Sequence, residues 1–341
     1  MNSIDRITTQ HAEDITKETH QHLPMMVKEI MRALNRSQRV ISDQVENILD
    51  IYGLKGGFDT RLEAIHFLNQ TASSDTRNLL LQQILQIKDE SMRKKLLAWY
   101  DAKATRGRLT NRRIINDIIY TEARKLGAQV DSTMTKHLNM VIMTTVTRSA
   151  YTMQRATHVG FSFEQPNKVQ LAGILKRNYS PAYSEIFANG YGDAVKEHIL
   201  GGLMAGDDVH DISARVAQAT DMELWKAKRF VRTEITMSSN AAEAYHLEKA
   251  GYDRYRYYAT LDERTCPRCG KHDGKVYNMS ARRQGENFPP LHENCRCHIV
   301  AVVSDAVIRE QKRKYRDPTT GKNDFVPASM TYKEWSEKYL V

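Results

Sequence analysis

All four cysteines of this 341-residue chain lie in one stretch, "DERTCPRCGKHDGKVYNMSARRQGENFPPLHENCRC", which runs from Asp262 to Cys297. Cys266 and Cys269 form a C-x2-C pair. At that spacing a tight turn aims two thiolates at one point, and its backbone N–H groups can bond the sulfurs. Pro267 stiffens the turn, and Gly270 stands where a left-handed residue is often needed. The second half, "HENCRC", adds His292, Cys295 and Cys297. If it enters a strand, Cys295 and Cys297 point the same way. Five donors thus compete for the four places of a tetrahedral Zn²⁺. The four cysteines are favoured, with His292 as the replacement for Cys295 or Cys297; His272 and His298 are spares. A closed site has no activated water, so the ion would be a structural staple for short strands that bury little apolar surface. The competing explanation, four unconnected core residues, leaves the clustering without a cause.

The amino terminus, "MNSIDRITTQHAEDITKETHQHLP", has no apolar signal-peptide region, and no stretch is apolar enough for a membrane helix. The expectation is a protein kept in a reducing cytosol, where clustered cysteines mean metal more often than disulfide. Apolar residues make up 41% of the chain, enough for a sizeable core. The formal charge of +9 is uneven. Residues 93–125 hold ten Lys or Arg against three acids, a local +7. Such a block either faces a polyanion such as DNA, through Arg106, Arg108, Arg112 and Arg113, or is a solvated helix face.

The first two thirds read as long helices. In "RVISDQVENILDIYG", Ile41, Val45, Ile48 and Tyr52 keep helical spacing, and Gly53 stops the run. One apolar stripe continues through Leu80, Ile84, Ile87, Met92, Leu96 and Tyr100. Ile115, Ile118, Ile119 and Leu126 mark another helix that Gly127 should close, and Leu138 to Met153 a further one. Shorter helices are expected at "SPAYSEIFAN", capped by Ser180 with Pro181 at its first position, at "GDAVKEHILGGLMAG" and at "DDVHDISARVAQAT". A longer one should start at Asp221 and end before Gly251. Three strands follow by composition: "YRYYATLD", "KVYNM" and "CHIVAVV". Asp273-Gly274 reads as a hairpin turn. Beyond Ser304 the polar tail should be irregular up to "TYKEWSEKYL", a short helix whose Trp335 and Tyr339 dock on something. The expected fold is mainly α with a small α+β C-terminal domain, in which a helix packs on a short antiparallel sheet with a zinc knuckle. The divisions are 1–55, an N-terminal helical segment; 56–160, a long helical arm; 161–220, a connector; 221–303, the zinc domain; and 304–341, a tail.

No catalytic constellation emerges. The H-E-x-x-H motif and the deaminase signature are absent, and a His-Asn-His nuclease would need the loose set His272, His292, Asn294 and His298. The reading is therefore not an enzyme and no small-molecule substrate, with a DNA-binding protein or a zinc-dependent nuclease as alternatives.

Arg232, Thr233, Glu234 and Asn240 fall on the helix before the strands. Asp262, Arg264, Thr265, Cys266 and Cys269, then Asp273 and Gly274, and finally Pro289, Pro290, Leu291, His292, Asn294, Cys295, Arg296 and Cys297 complete a pattern. From Val231 to Val303 it resembles the phage head morphogenesis family, the Mu F-like minor head (minor capsid) proteins of tailed phages. The resemblance implies a virion or procapsid component, made in the bacterial host cytoplasm and present in few copies. It would act with the portal protein and other capsid or scaffold proteins during head assembly, with room for a contact to packaged DNA.

Overall fold

The computed structural model describes residues 4–104, 109–157, 166–178, 182–302, 312–327 and 329–340. Two compact units emerge, each gathered from separate stretches: 1–27, 134–180 and 228–341 in one, 28–133 and 181–227 in the other. The expected divisions ran consecutively along the chain. Among the described residues no helix is long and apolar enough to cross a membrane.

The second unit is helical. The helix α2 (His22–Ile51) ends at Tyr52 and Gly53, whose φ of +66° turns the chain as its sequence position suggests. A capping box of Thr60 and Glu63 starts α3 (Arg61–Asn69), and Ser73 caps α4 (Ser74–Leu85). The expected single stripe through Leu80 and Tyr100 is two helices, because the chain turns between α4 and α5 (Glu90–Ala104). Gly127 does not close a helix. It lies inside α6 (Asn111–Thr157), 47 residues long, where a Cβ would stand 3.1 Å from Ala188 Cβ. Likewise Gly190 and Gly192 lie inside one helix, α8 (Ala182–Ala205), where two were expected; a Cβ on Gly192 would meet Ala123 at 3.2 Å. Gly127 and Gly192 serve helix-to-helix approach, which overrides the local tendency of glycine to end a helix. Ser180 and Pro181 fall outside the described residues. Asp221 is no cap: it is an exposed residue inside α9 (Val209–Lys249), and the start is capped by Asp208, which accepts the Asp211 N–H at 2.8 Å.

The first unit contains α1 (Ile4–His20), α7 (Lys168–Asn178), the later parts of α6 and α9, and all the strands. Gly251, at φ +82°, ends α9 as expected. Then β1 (Arg254–Tyr258) pairs antiparallel with β2 (Val276–Asn278) and with β3 (His298–Ala301), giving the order β2-β1-β3. Tyr255, Met279, Phe288 and Ile299 bury against Ala244 and Leu247 of α9 and Met153 of α6. This is the expected helix on a short antiparallel sheet. The tail is not irregular: β4 (Lys312–Arg316) and β5 (Asn323–Pro327) form a two-stranded antiparallel ribbon. Arg313 and Tyr315 are buried while Lys312, Lys314 and Arg316 are exposed, a two-residue alternation that the charges conceal. The last helix, α11 (Tyr332–Tyr339), is described with the site it covers.

Candidate metal centre

The segment Pro267–Gly270 folds into one helical turn, α10, with Pro267 at its first position. Cys266 caps it, and the Cys269 N–H points at the Cys266 sulfur at 3.4 Å. Gly270 is not left-handed; it is needed for space, because a Cβ there would run into the ring of Tyr332. That ring belongs to α11 (Tyr332–Tyr339), whose own N-cap is Thr331.

The two ligand segments meet. His292 Nε2 lies 3.2 Å from Cys266 Sγ and 3.3 Å from Cys269 Sγ, and Cys269 Sγ lies 3.8 Å from Cys295 Sγ. Two triples of donors share Cys269: Cys266 with His292, and Cys295 with Cys297, each triple within 4.8 Å. A tetrahedral zinc with Zn–S near 2.3 Å has S···S edges of about 3.8 Å. The donor set therefore fits a soft four-coordinate cation, and His292 stands closer to the first pair than a four-cysteine preference implies. His272 and His298 belong to neither triple. The first is bonded to the Tyr277 hydroxyl at 2.7 Å, and the second faces Thr16 Oγ1 at 2.8 Å.

Cys269, Cys295 and Cys297 are buried, and Cys266 and His292 are half-buried. Hydrogen bonds from the Cys269 and Cys297 thiols draw the Cys295 pKa far down, and the same sharing pushes Cys269 and Cys297 up. Tyr257 lies over this cluster, its hydroxyl pushed up by burial and by Cys297, Cys295 and Cys269.

The helix α9 holds the second segment by its backbone. Thr236 Oγ1 donates to the Cys295 carbonyl at 2.9 Å, and Asn240 Nδ2 donates to the Cys297 carbonyl at 3.0 Å while its Oδ1 accepts the Ile299 N–H at 2.8 Å. Thr233 Oγ1 accepts the Asn294 N–H at 2.8 Å, and Arg232 donates to Asn294 Oδ1 at 2.9 Å. Asn294 sits at φ +64°, a conformation asparagine tolerates better than most residues. Spacings of three and four place Thr233, Thr236 and Asn240 on one face. Thr236 was not among the expected site residues, although that spacing from Thr233 and Asn240 could have pointed to it. Glu234 lies elsewhere: it is buried, its Oε2 has no partner, and burial raises its pKa to about 8.

Asp262 joins the two segments directly. Arg296 grips it with both terminal nitrogens, one at 2.7 Å, and the Arg264 N–H donates to it at 3.0 Å. Burial pushes its pKa up, but the Arg296 bonds and charge, with Arg264, prevail and leave it below the ordinary value. Asp273-Gly274 is not a two-residue hairpin turn but closes the long β1–β2 connection, with Gly274 at φ +77°. The Asp273 carboxylate accepts the N–H groups of Ala259 and Tyr332 at 2.8 and 2.7 Å, and Arg313 of β4 at 2.8 and 3.2 Å. Arg313 is fully buried over the Tyr258 ring, 4.0 Å from its centroid. Tyr332 completes the attachment by donating to the Thr265 carbonyl at 2.7 Å, and Trp335 buries with Leu261, Tyr315 and Val326. The tail thus braces the knuckle.

Among the described residues, none of the basic stretch belongs to either donor triple. Arg106 and Arg108 lie outside the described residues. Arg113 pairs with Asp117 at 2.8 Å and stands over Trp99, Lys94 pairs with Glu90, and Lys125 with Glu122; Arg112 is exposed.

Residues 193–300 match the model of the family described as Phage Mu protein F like protein. The match opens in α8, earlier than the resemblance read from the motif, and closes in β3. Minor head protein GP7 of Bacillus phage SPP1 is 26% identical over 159 residues, covering 41% of this chain and 49% of that protein. The chain thus spans about half the length of this curated relative. No solved structure matches significantly. The matched residues coincide with the helix and strands that assemble the cysteine centre, so this part of the chain is similar to the Mu protein F-like family.

Proposed function

We propose that the chain is a phage minor head protein that acts with the portal protein in procapsid assembly and resides in the procapsid or virion. The observation that carries this reading is the use made of the motif residues: Arg232, Thr233, Asn240, Asp262 and Asp273 all hold backbone segments or the tail in place. Such an arrangement builds a rigid docking module. A structural Zn²⁺ would complete it, taken by Cys266, Cys269, His292 and Cys295, with Cys297 as a thiol beside Tyr257. Capsid or scaffold proteins are the further partners, and the host cytoplasm is the place of synthesis.

Co-expression with the portal protein of the same phage tests the role: capture of the chain on portal rings is expected, and failure to associate in the presence of bound metal refutes it. Elemental analysis tests the staple. One zinc per chain is expected, retained in Cys297→Ser and lost in Cys269→Ser; no metal in the freshly purified protein would reject it. Nucleic-acid cleavage that needs His292 but not Cys266 would revive the nuclease alternative.

A further inference from the structure

A cavity of about 970 Å³ opens in the first unit between α1, the end of β1 and the ribbon β4–β5. Its walls carry Lys17, Arg264, Lys312, Lys314 and Arg316, together with Phe325. The three cations of β4 share the outward face of the ribbon. Side chains two apart on a strand stand about 6.8 Å from one another, close to the spacing of successive phosphates along a nucleic-acid strand. Phe325 is the cross-strand partner of Lys314 and is 56% exposed, so an aromatic face lies beside the middle cation. Lys17, Lys312, Lys314 and Arg316 join no ion pair among the described residues.

Three acids also line the cavity. Asp262 is paired with Arg296, while Glu13, which accepts the backbone N–H of Lys314 at 2.8 Å, and Asp14 stand against Lys17, Lys312, Lys314 and Arg316. The balance left facing the opening is positive. We infer that this cleft binds a nucleic-acid strand, with phosphates on Lys312, Lys314 and Arg316 and a base or sugar against Phe325. Interleaved cations and an exposed aromatic ring suit a nucleic acid better than an acidic peptide, which has no use for the ring. In the stretch 93–125, Lys94, Arg113 and Lys125 are paired along their own helices.

This inference rests on the head-protein reading only in that the chain meets a genome. Portal capture without DNA binding would leave that reading standing and sink this one. The test is fluorescence anisotropy of the full-length protein with a labelled oligonucleotide, single-stranded and duplex, between about 50 and 200 mM salt. The variant is Lys312→Glu/Lys314→Glu/Arg316→Glu, and the control is Lys95→Glu/Arg112→Glu. The expected result is a loss of about tenfold or more in the triple variant, with a slope of log K against log salt shallower by about 2.7, or 0.9 per phosphate. The control should stay within about twofold of the parent. A smaller loss in the triple variant, an equal loss in the control, or equal affinity for polyglutamate overturns the proposal. If circular dichroism shows the triple variant unfolded, Lys314→Gln and Phe325→Ala replace it. Each must then weaken binding by about threefold or more, the second chiefly for the single strand.

Discussion

Replacing Asp273 with alanine should detach the tail from the knuckle. In the folded chain this carboxylate accepts two backbone N–H groups and two guanidinium nitrogens, and Arg313 is buried to 2% exposure. Removing one partner of a buried ion pair costs about 3–5 kcal/mol, because the other charge is left in a medium that solvates it poorly. Each backbone N–H left without an acceptor adds about 1–3 kcal/mol, less whatever water recovers. Relaxation of the ribbon would relieve part of the sum, so a loss of about 4 kcal/mol is the expected net effect. Against a typical domain stability of about 5–15 kcal/mol this releases the ribbon and α11 well before global unfolding. Urea titration followed by tryptophan fluorescence reads it directly, since Trp335 is fully buried on the tail side. The double variant Asp273→Ala/Arg313→Met should recover at least about 2 kcal/mol, because it removes the stranded charge. A loss below about 1 kcal/mol, or no recovery in the double variant, would refute the argument.

Asn240→Ala should cost about 2–4 kcal/mol, since it strands the Cys297 carbonyl and the Ile299 N–H together, and it should raise the rate of zinc release to a chromogenic chelator; unchanged release would show that α9 does not position the ligand segment. Glu234 gives a pH signature. Its folded pKa, about 8, lies above its ordinary 4.5, so its contribution to stability is complete below pH 4.5 and is lost as pH rises towards 8. Glu234→Gln should therefore stabilise the protein by about 3 kcal/mol more at pH 8 than at pH 5 in urea melts, and a gain independent of pH would contradict the assignment.

The strands and the meeting of the two ligand segments were legible because they rest on local chemistry: aromatic, alternating residues for β1 and tight thiol spacing for the knuckle. The helix ends were less so. Gly127 read as a stop because sequence shows its flexibility but not the neighbouring helix that needs its missing side chain. The ribbon β4–β5 stayed hidden because Arg313 is buried, while its residue type signals solvent; Asp273, 40 positions away, with the Met330 and Ala259 carbonyls and the Tyr258 ring, makes that burial tolerable. Gly270 was rightly singled out, though what requires it is the Tyr332 ring and not its backbone angle. Thr236 escaped notice because a lone threonine in a helix carries no signal until the carbonyl it reaches is known.

Glu13 of α1 accepts the Lys314 N–H across 301 positions of sequence, and Thr16 meets His298 across 282. During translation α1 is therefore made long before the strands that shelter it, and its apolar face waits through most of synthesis without them. Closing so wide a loop comes late and slowly. Completion of this unit is tied to synthesis of β4, so a ribosome that stalls before residue 312 leaves a chain whose first helix has Glu243 and His298 as partners but lacks the ribbon.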